Sequence, residues 1–164
     1  MPKGSAMSAE QTRAAEVEAY LLAVQRSEGH PYMALLGMRT FDTQGLHEKV
    51  RRGLPFQVFQ RFVRLTELSP HTLAAILLIP ARTLPRRKAQ RRLQPDESDR
   101  LLRLARIYGK AIELFESDSQ AAMRWLRGPV VALGGAAPLA LCQTEPGALE
   151  VEHLIGRFQH GVFS

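Results

Sequence analysis

The sequence predicts an all-α protein. Apolar residues recur three and four apart through most of its 164 residues, and Ser, Asp, Pro and Gly stand where helices start and stop. No long alternating run of β-branched residues argues for a sheet. A third observation divides the chain. Residues 49–110 hold fifteen of the twenty-two Lys and Arg but only four acids (Glu67, Asp96, Glu97 and Asp99), a net +11 against −5 for the remainder. A helical chain that is basic in its middle third and acidic at both ends calls for separate partners on separate surfaces. The alternative, an evenly solvated face, ordinarily mixes both signs.

Taken in order, Ser8 followed three residues later by Gln11 has the form of a capping box. Ala14, Val17, Leu21 and Val24 continue at helical spacing until Gly29 and Pro31. Residues 29–45 are broken by Gly29, Pro31, Gly37 and Gly45 and read as a connector with one short helix at Tyr32 to Met38, so residues 1–45 form a first unit. A short helix runs from Leu46 to near Gly53, and Pro55 opens another whose face is Phe56, Phe59, Phe62 and Val63, completed by Leu65. Ser69 and Pro70 supply an N-cap and a first helical residue for His71 to Leu78, which presents Leu73, Ile76 and Leu77.

After a break at Ile79-Pro80, a second helix is expected over roughly Arg82 to Leu93, with Arg82, Arg86, Arg87, Lys88, Arg91 and Arg92 upon it. Two short helices joined by a tight turn, the second heavily basic, form the helix-turn-helix arrangement. Pro85 is compatible only with a first turn, because a helix interior loses a hydrogen bond at proline. Either the helix begins near Arg82, or it is displaced toward the C-terminal side and leaves Arg82 outside. Asp96 is the candidate cap of a longer helix with Leu101, Leu104, Tyr108, Ala111, Ile112 and Phe115 on one face and Arg100, Arg103, Arg106 and Lys110 on another. Residues 46–110 are therefore a second unit and 111–164 a third. In the third, Asp118 caps a helix with Ala122, Met123, Trp125 and Leu126 that ends before Gly128-Pro129. A Gly/Ala/Pro segment, Leu133 to Leu139, precedes a last helix with the face Ala148, Val151, Leu154, Ile155 and Phe158.

Clustered cations suit DNA, whose phosphates release condensed counterions when neutralised. Arg82 and Arg86, with Lys88 or Thr83, are candidates for base edges, while the remaining cations, Arg87, Arg91 and Arg92, hold phosphates. A homodimer is expected, since such proteins commonly read paired half-sites. No enzyme is legible. The histidines (His30, His47, His71, His153 and His160) make no metal-ligand pair, and Gly134-Gly135 lacks the Lys-Ser/Thr of a phosphate loop. Cys142 lies in an apolar setting that suits a packed thiol, and Trp125 reads as a core anchor. We expect no metal and no cofactor. The single cysteine, the lack of an apolar run long enough to span a bilayer and the absence of a signal-peptide pattern point to a cytoplasmic protein with no membrane partner. Leu133, Pro138, Leu139, Val162 and Phe163 place apolar side chains in loop or terminal positions, where they dock on another protein or pack back on their own helix.

The string Arg82-Thr83-Leu84-Pro85-Arg86-Arg87, then Arg92-Leu93 and Glu97-Ser98-Asp99-Arg100-Leu101-Leu102-Arg103-Leu104-Ala105-Arg106, resembles the antitoxins of the Xre/MbcA/ParS group. So do Ala122-Met123-Arg124-Trp125-Leu126, Ala132-Leu133-Gly134-Gly135 with Pro138-Leu139, Thr144-Glu145-Pro146-Gly147, and the ending His160-Gly161-Val162-Phe163. The resemblance covers about residues 50 to 164. It implies a helix-turn-helix DNA-binding part followed by a small helical toxin-binding domain, in an antitoxin of a type II toxin–antitoxin pair. It further implies a RES-domain toxin that consumes NAD or transfers ADP-ribose from it, an antitoxin that covers the toxin's active site, and repression of its own operon. By position, toxin contact falls on Leu133, Gly134, Gly135, Pro138 and Leu139 and on Gly161, Val162, Phe163 and Ser164. Operator contact falls on Arg82, Thr83, Arg86, Arg87 and Lys88. The second reading is a helix-turn-helix regulator without a toxin, its C-terminal region serving dimerisation.

Overall fold

A computed structural model of the chain describes residues 7–39 and 42–161. Among the described residues there are nine α-helices and no strand: α1 (Ala9–Gln25), α2 (Thr43–Arg52), α3 (Phe56–Thr66), α4 (Pro70–Ile76), α5 (Leu84–Gln90), α6 (Pro95–Leu114), α7 (Ser119–Arg127), α8 (Pro138–Leu141) and α9 (Glu145–Gln159). Two 3-10 turns, Pro31–Leu36 and Val131–Leu133, complete them.

The capping box of α1 is present: the Gln11 backbone donates to Ser8 Oγ, and the Ser8 backbone donates to Gln11 Oε1. The face of α1 differs from the expectation. Ala14 is exposed, and the buried side is Arg13, Glu16, Val17, Tyr20 and Ala23. The face is turned because its two charged residues find partners. Arg13 pairs with Glu67 at the end of α3, and Arg61 of α3 pairs with Glu16 at 3.2 Å. Tyr20 donates from its hydroxyl to Glu113 at 2.6 Å, and its ring lies so close to Gly109 of α6 that a Cβ there would stand 2.6 Å from the Tyr20 ring. The residues after α1 are core, not linker. Met33, Leu35 and Leu36 are buried completely or nearly so, in a 3-10 turn where an α-helix over Tyr32 to Met38 was expected.

Helix α2 starts earlier than expected because the Asp42 carboxylate accepts from the Gly45 backbone and nucleates a turn before Leu46. Helix α3 buries Phe56, Val58, Phe59, Phe62 and Leu65, with Phe56 and Phe59 stacked. Helix α4 begins at Pro70 under the Ser69 cap, as the sequence predicts, and stops at Ile76. The second helix of the motif is shorter than expected. Pro85 lies in the first turn of α5, and Arg82 stands outside it in the preceding turn, the second of the two arrangements that Pro85 allowed. Helix α6 is capped by Gln94 with Glu97, not by Asp96; Glu97 reaches back to the Gln94 backbone at 2.8 Å.

Helix α6 organises the rest. Its buried residues run from Glu97 to Ile112, and it packs on the first 3-10 turn, α2, α7 and α9. It continues unbroken through residue 110, so its apolar face serves helices on both sides of that point. One continuous core extends from Val17 of α1 to Ile155 of α9. Asp118 caps α7, and Trp125 is half-buried between Phe115 and Phe158, with ring centroids 6.2 and 6.5 Å away. Part of the Gly/Ala/Pro segment is helical, as the short α8.

Candidate functional site

Two surfaces lie apart on this frame. The first is α5 with its flanking turns. Arg82, Arg86, Lys88 and Arg91 are exposed, and none of them is paired with an acid among the described residues. Thr83 is half-buried at the start of the helix. Arg91 ends it in the left-handed conformation. Charge and exposure therefore coincide at these four cations, which is what phosphate and base-edge contact needs.

Arg87 is different, and its expected place among the DNA contacts is corrected. Its side chain is 10% exposed and that of Glu97 6%. The Arg87 Nε–H donates to both oxygens of the Glu97 carboxylate, at 2.9 Å each. That hydrogen bond raises the guanidinium pKa above its ordinary value. The same carboxylate caps α6, so one acid ties the basic helix to the long one. Sequence reasoning missed this because both residues sat in a basic stretch. The available signal was a lone Glu three residues beyond a cap position.

The second surface is the loop between α7 and α8. Here too the expectation is corrected. Leu133 and Leu139 are 8% and 6% exposed and Pro138 is buried, so these three anchor the loop and do not offer it a face. What the loop presents is Val131, 94% exposed, with Ala132, Gly134 and Gly135 beside it. The two glycines have φ of +68° and +84°, which only glycine adopts without strain, and a Cβ on either would meet nothing within 4 Å. Backbone bonds from Val130 to the Ala136 carbonyl (3.1 Å) and from Gly135 to the Val130 carbonyl (3.0 Å) close the loop. Val131 was missed in the sequence because it sits in the apolar run Val130-Val131-Ala132-Leu133, which gives no local sign of which member is left outside. Gly161 is exposed after α9. The expected contacts Val162, Phe163 and Ser164 lie outside the described residues.

Burial pushes the Cys142 thiol up to about 12. Among the described residues no group of three His, Cys, Asp or Glu is placed to hold a metal, and no helix is long and apolar enough to cross a membrane.

Comparison with known proteins assigns each surface to a domain. Residues 45–106 match the antitoxin Xre-like helix-turn-helix domain, and residues 110–161 match the antitoxin Xre/MbcA/ParS C-terminal toxin-binding domain. The chain belongs to the Xre/MbcA/ParS antitoxin family. An antitoxin Xre of Yersinia enterocolitica is 46% identical over 87 residues, which are 52% of this chain and 59% of that protein. The chain thus spans less than two thirds of the length of that relative. An antitoxin Xre of Photorhabdus laumondii is 29% identical over 138 residues, 84% of this chain and 93% of its own. A Sphingobium protein named Prs ADP-ribosylating antitoxin is 25% identical over 142 residues, 81% of this chain and 87% of its own. In this antitoxin-family chain α5 falls within the helix-turn-helix match and the Val131 loop within the toxin-binding match. Helix α1 precedes both matches.

Proposed function

We propose that the chain is the antitoxin of a type II pair that occludes the active site of a RES-domain, NAD-consuming toxin and represses its own operon as a homodimer, in the cytoplasm where both DNA and NAD are found. The observation that carries the toxin half is Val131: an apolar side chain almost wholly in solvent, on a loop held by buried Leu133 and Leu139, inside the segment that matches a toxin-binding domain. A rigid, pinned apolar tip loses little conformational freedom on binding and fits the concave, largely apolar clefts in which cofactors sit. Steric inhibition needs affinity and placement, not chemistry, so no catalytic role is assigned to any residue here. Gly134 and Gly135 let a partner approach the backbone, and residues 161–164 extend the contact. The DNA half rests on Arg82, Arg86, Lys88 and Arg91, with Thr83 at the helix start.

The test is Val131→Asp in cells that co-express the toxin encoded beside this gene. Folding stability stays within about 0.5 kcal/mol of the parent, as for surface changes generally, while growth protection and co-purification of the toxin are lost. Full protection by the folded variant overturns the assignment of the loop. A regulator without a toxin would instead show no toxic neighbour and no co-purifying partner.

A further inference from the structure

One basic cleft lies on neither the outer face of α5 nor the Val131 loop. It holds about 560 Å³ between the first 3-10 turn, the C-terminal end of α2 and the start of α3. Five cations line it: Arg39, Lys49, Arg52, Arg61 and Arg92. Arg61 is shared with Glu16 at 3.2 Å, and Arg52 is loosely approached by Glu48 at 3.4 Å, but neither acid lines the cleft. The N-terminus of α3, capped by no side chain, opens on it through Pro55 and Gln57. Helix N-termini favour anions, which adds to the field of the five cations.

The cleft is joined to the reading helix. Arg92 follows Arg91, the residue that ends α5, and its Nη1 donates to the Gly53 carbonyl at 2.7 Å and the Arg52 carbonyl at 3.2 Å. The Phe56 backbone donates to the Arg91 carbonyl, and Leu93 to the Leu54 carbonyl. The C-terminal end of α5 is therefore stitched to the α2–α3 junction, and the cations of α5 continue into those of the cleft. Among the described residues, no aromatic ring lines the cleft to stack on a base and no acid lines it to hold a ribose hydroxyl. A site whose described lining carries charge for phosphates and neither ring nor acid for a nucleoside suits a polynucleotide backbone more than a free nucleotide.

We infer that this cleft seats the DNA backbone beside the α5 contact, with Lys49 and Arg52 neutralising phosphates that α5 does not reach. The inference rests on the reading of α5 as a DNA contact. It adds to α5, which selects the sequence, a flank that sets affinity and salt dependence.

The experiment measures binding of the full chain to random-sequence duplex DNA by fluorescence anisotropy across a salt series, because phosphate contacts carry no sequence information. Lys49 and Arg52 are both exposed at the end of α2, so the double variant Lys49→Ala/Arg52→Ala keeps the fold, as a thermal melt will show. Each phosphate contact contributes about 0.9 to the slope of log K against log salt, so the variant's slope is shallower by about 1.8. Between about 50 and 200 mM salt the parent then loses about twelve-fold more affinity than the variant. Arg86→Ala on α5 is the control and loses about 0.9 of slope. An unchanged slope in the double variant, with the expected change in Arg86→Ala, overturns the cleft assignment and leaves α5 standing. No duplex binding by the parent overturns both. Binding of ATP by the parent, lost in a double variant whose DNA slope is unchanged, would make the cleft a nucleotide site and also overturns the inference.

Discussion

Glu97 is one acid with two tasks, and removing its charge tests both the geometry of α5 and the reason Arg87 is kept from DNA. In Glu97→Gln the amide oxygen still accepts from the Gln94 backbone, so the cap of α6 survives. What is lost is the anion facing Arg87. With side chains 10% and 6% exposed, solvent cannot screen the uncompensated guanidinium. Breaking a buried pair by deleting one partner costs about 3–5 kcal/mol, and the retained amide hydrogen bond puts this variant near about 3. For a chain of this length that lowers Tm by about 6–12 °C. The companion Arg87→Met/Glu97→Gln removes both charges and keeps the cap, and it should lie within about 1 kcal/mol of the parent, because a well-packed apolar replacement of a buried pair is often neutral. Urea unfolding, with equal m-values required across the set, measures both. If Glu97→Gln loses under about 1 kcal/mol, or if the double variant is as unstable as the single, the pair is not the coupled buried clamp described here.

Further outcomes follow from single positions. In Gly147→Ala the new Cβ would stand 2.1 Å from the Leu141 carbonyl oxygen, a backbone atom that cannot swing away, so α9 must shift at a cost of about 1–3 kcal/mol by urea unfolding. Gly156→Ala, in the same helix with nothing within 4 Å of the new Cβ, stabilises by about 0.5–1 kcal/mol in the same assay. The Cys142 thiol, buried and shifted to about 12, stays unmodified by iodoacetamide at about pH 8 in the folded protein and is alkylated fully in urea. Burial pushes the Glu145 carboxyl upward, but Arg103 and Arg106 pull harder and hold it below its ordinary 4.5. A depressed carboxylate contributes stability above its unfolded value that is lost as pH falls through the folded one. The urea midpoint of Glu145→Gln should therefore fall less than that of the parent between about pH 5 and pH 3.

How much of this was legible in the sequence depends on what each element needed to be read. Three local signals were read correctly: the Ser8 box, Ser69-Pro70 and the Asp118 cap are decided within four residues of chain. Some failures came where a distant partner decides, and others where two local signals compete, as at the start of α6, where Gln94 with Glu97 and not Asp96 forms the cap. The face of α1 was misplaced because Arg13 and Glu16 are buried only by virtue of Glu67 and Arg61, which lie 54 and 45 residues away. The first turn of α2 needed only Asp42, but the Gly45 that it caps reads locally as a breaker. At the candidate sites, the apolar residues of the loop were recognised while their burial was inverted: Leu133 and Leu139 look exposed in a Gly/Pro-rich string, and only the tertiary fold shows that Val131 is the one left outside. Periodicity cannot assign a face to a segment too short to have one.

The charge segregation that first pointed to two partners also has a cause inside the fold. Five of the fifteen cations in residues 49–110 face carboxylates as part of the packing: Arg61, Arg87, Arg100, Arg103 and Arg106. Three of the acids they meet, Glu16, Glu145 and Glu152, come from the acidic ends of the chain. Arg103 and Arg106 of α6 hold Glu145 and Glu152 of α9, so the basic middle and the acidic C-terminal part are partly complements of each other. Pairs this exposed contribute little stability singly, but opposite blocks on α6 and α9 disfavour wrong helix pairings. Of the ten that remain, Lys49, Arg52, Arg82, Arg86, Lys88, Arg91 and Arg92 lie on α5, its flanks and the cleft joined to its end, while Arg51, Arg64 and Lys110 lie elsewhere on α2, α3 and α6. A charge that is merely abundant would be scattered over the middle third. This one is largely sorted, with five members held in ion pairs within the fold and seven gathered on α5, its flanks and the cleft joined to its end.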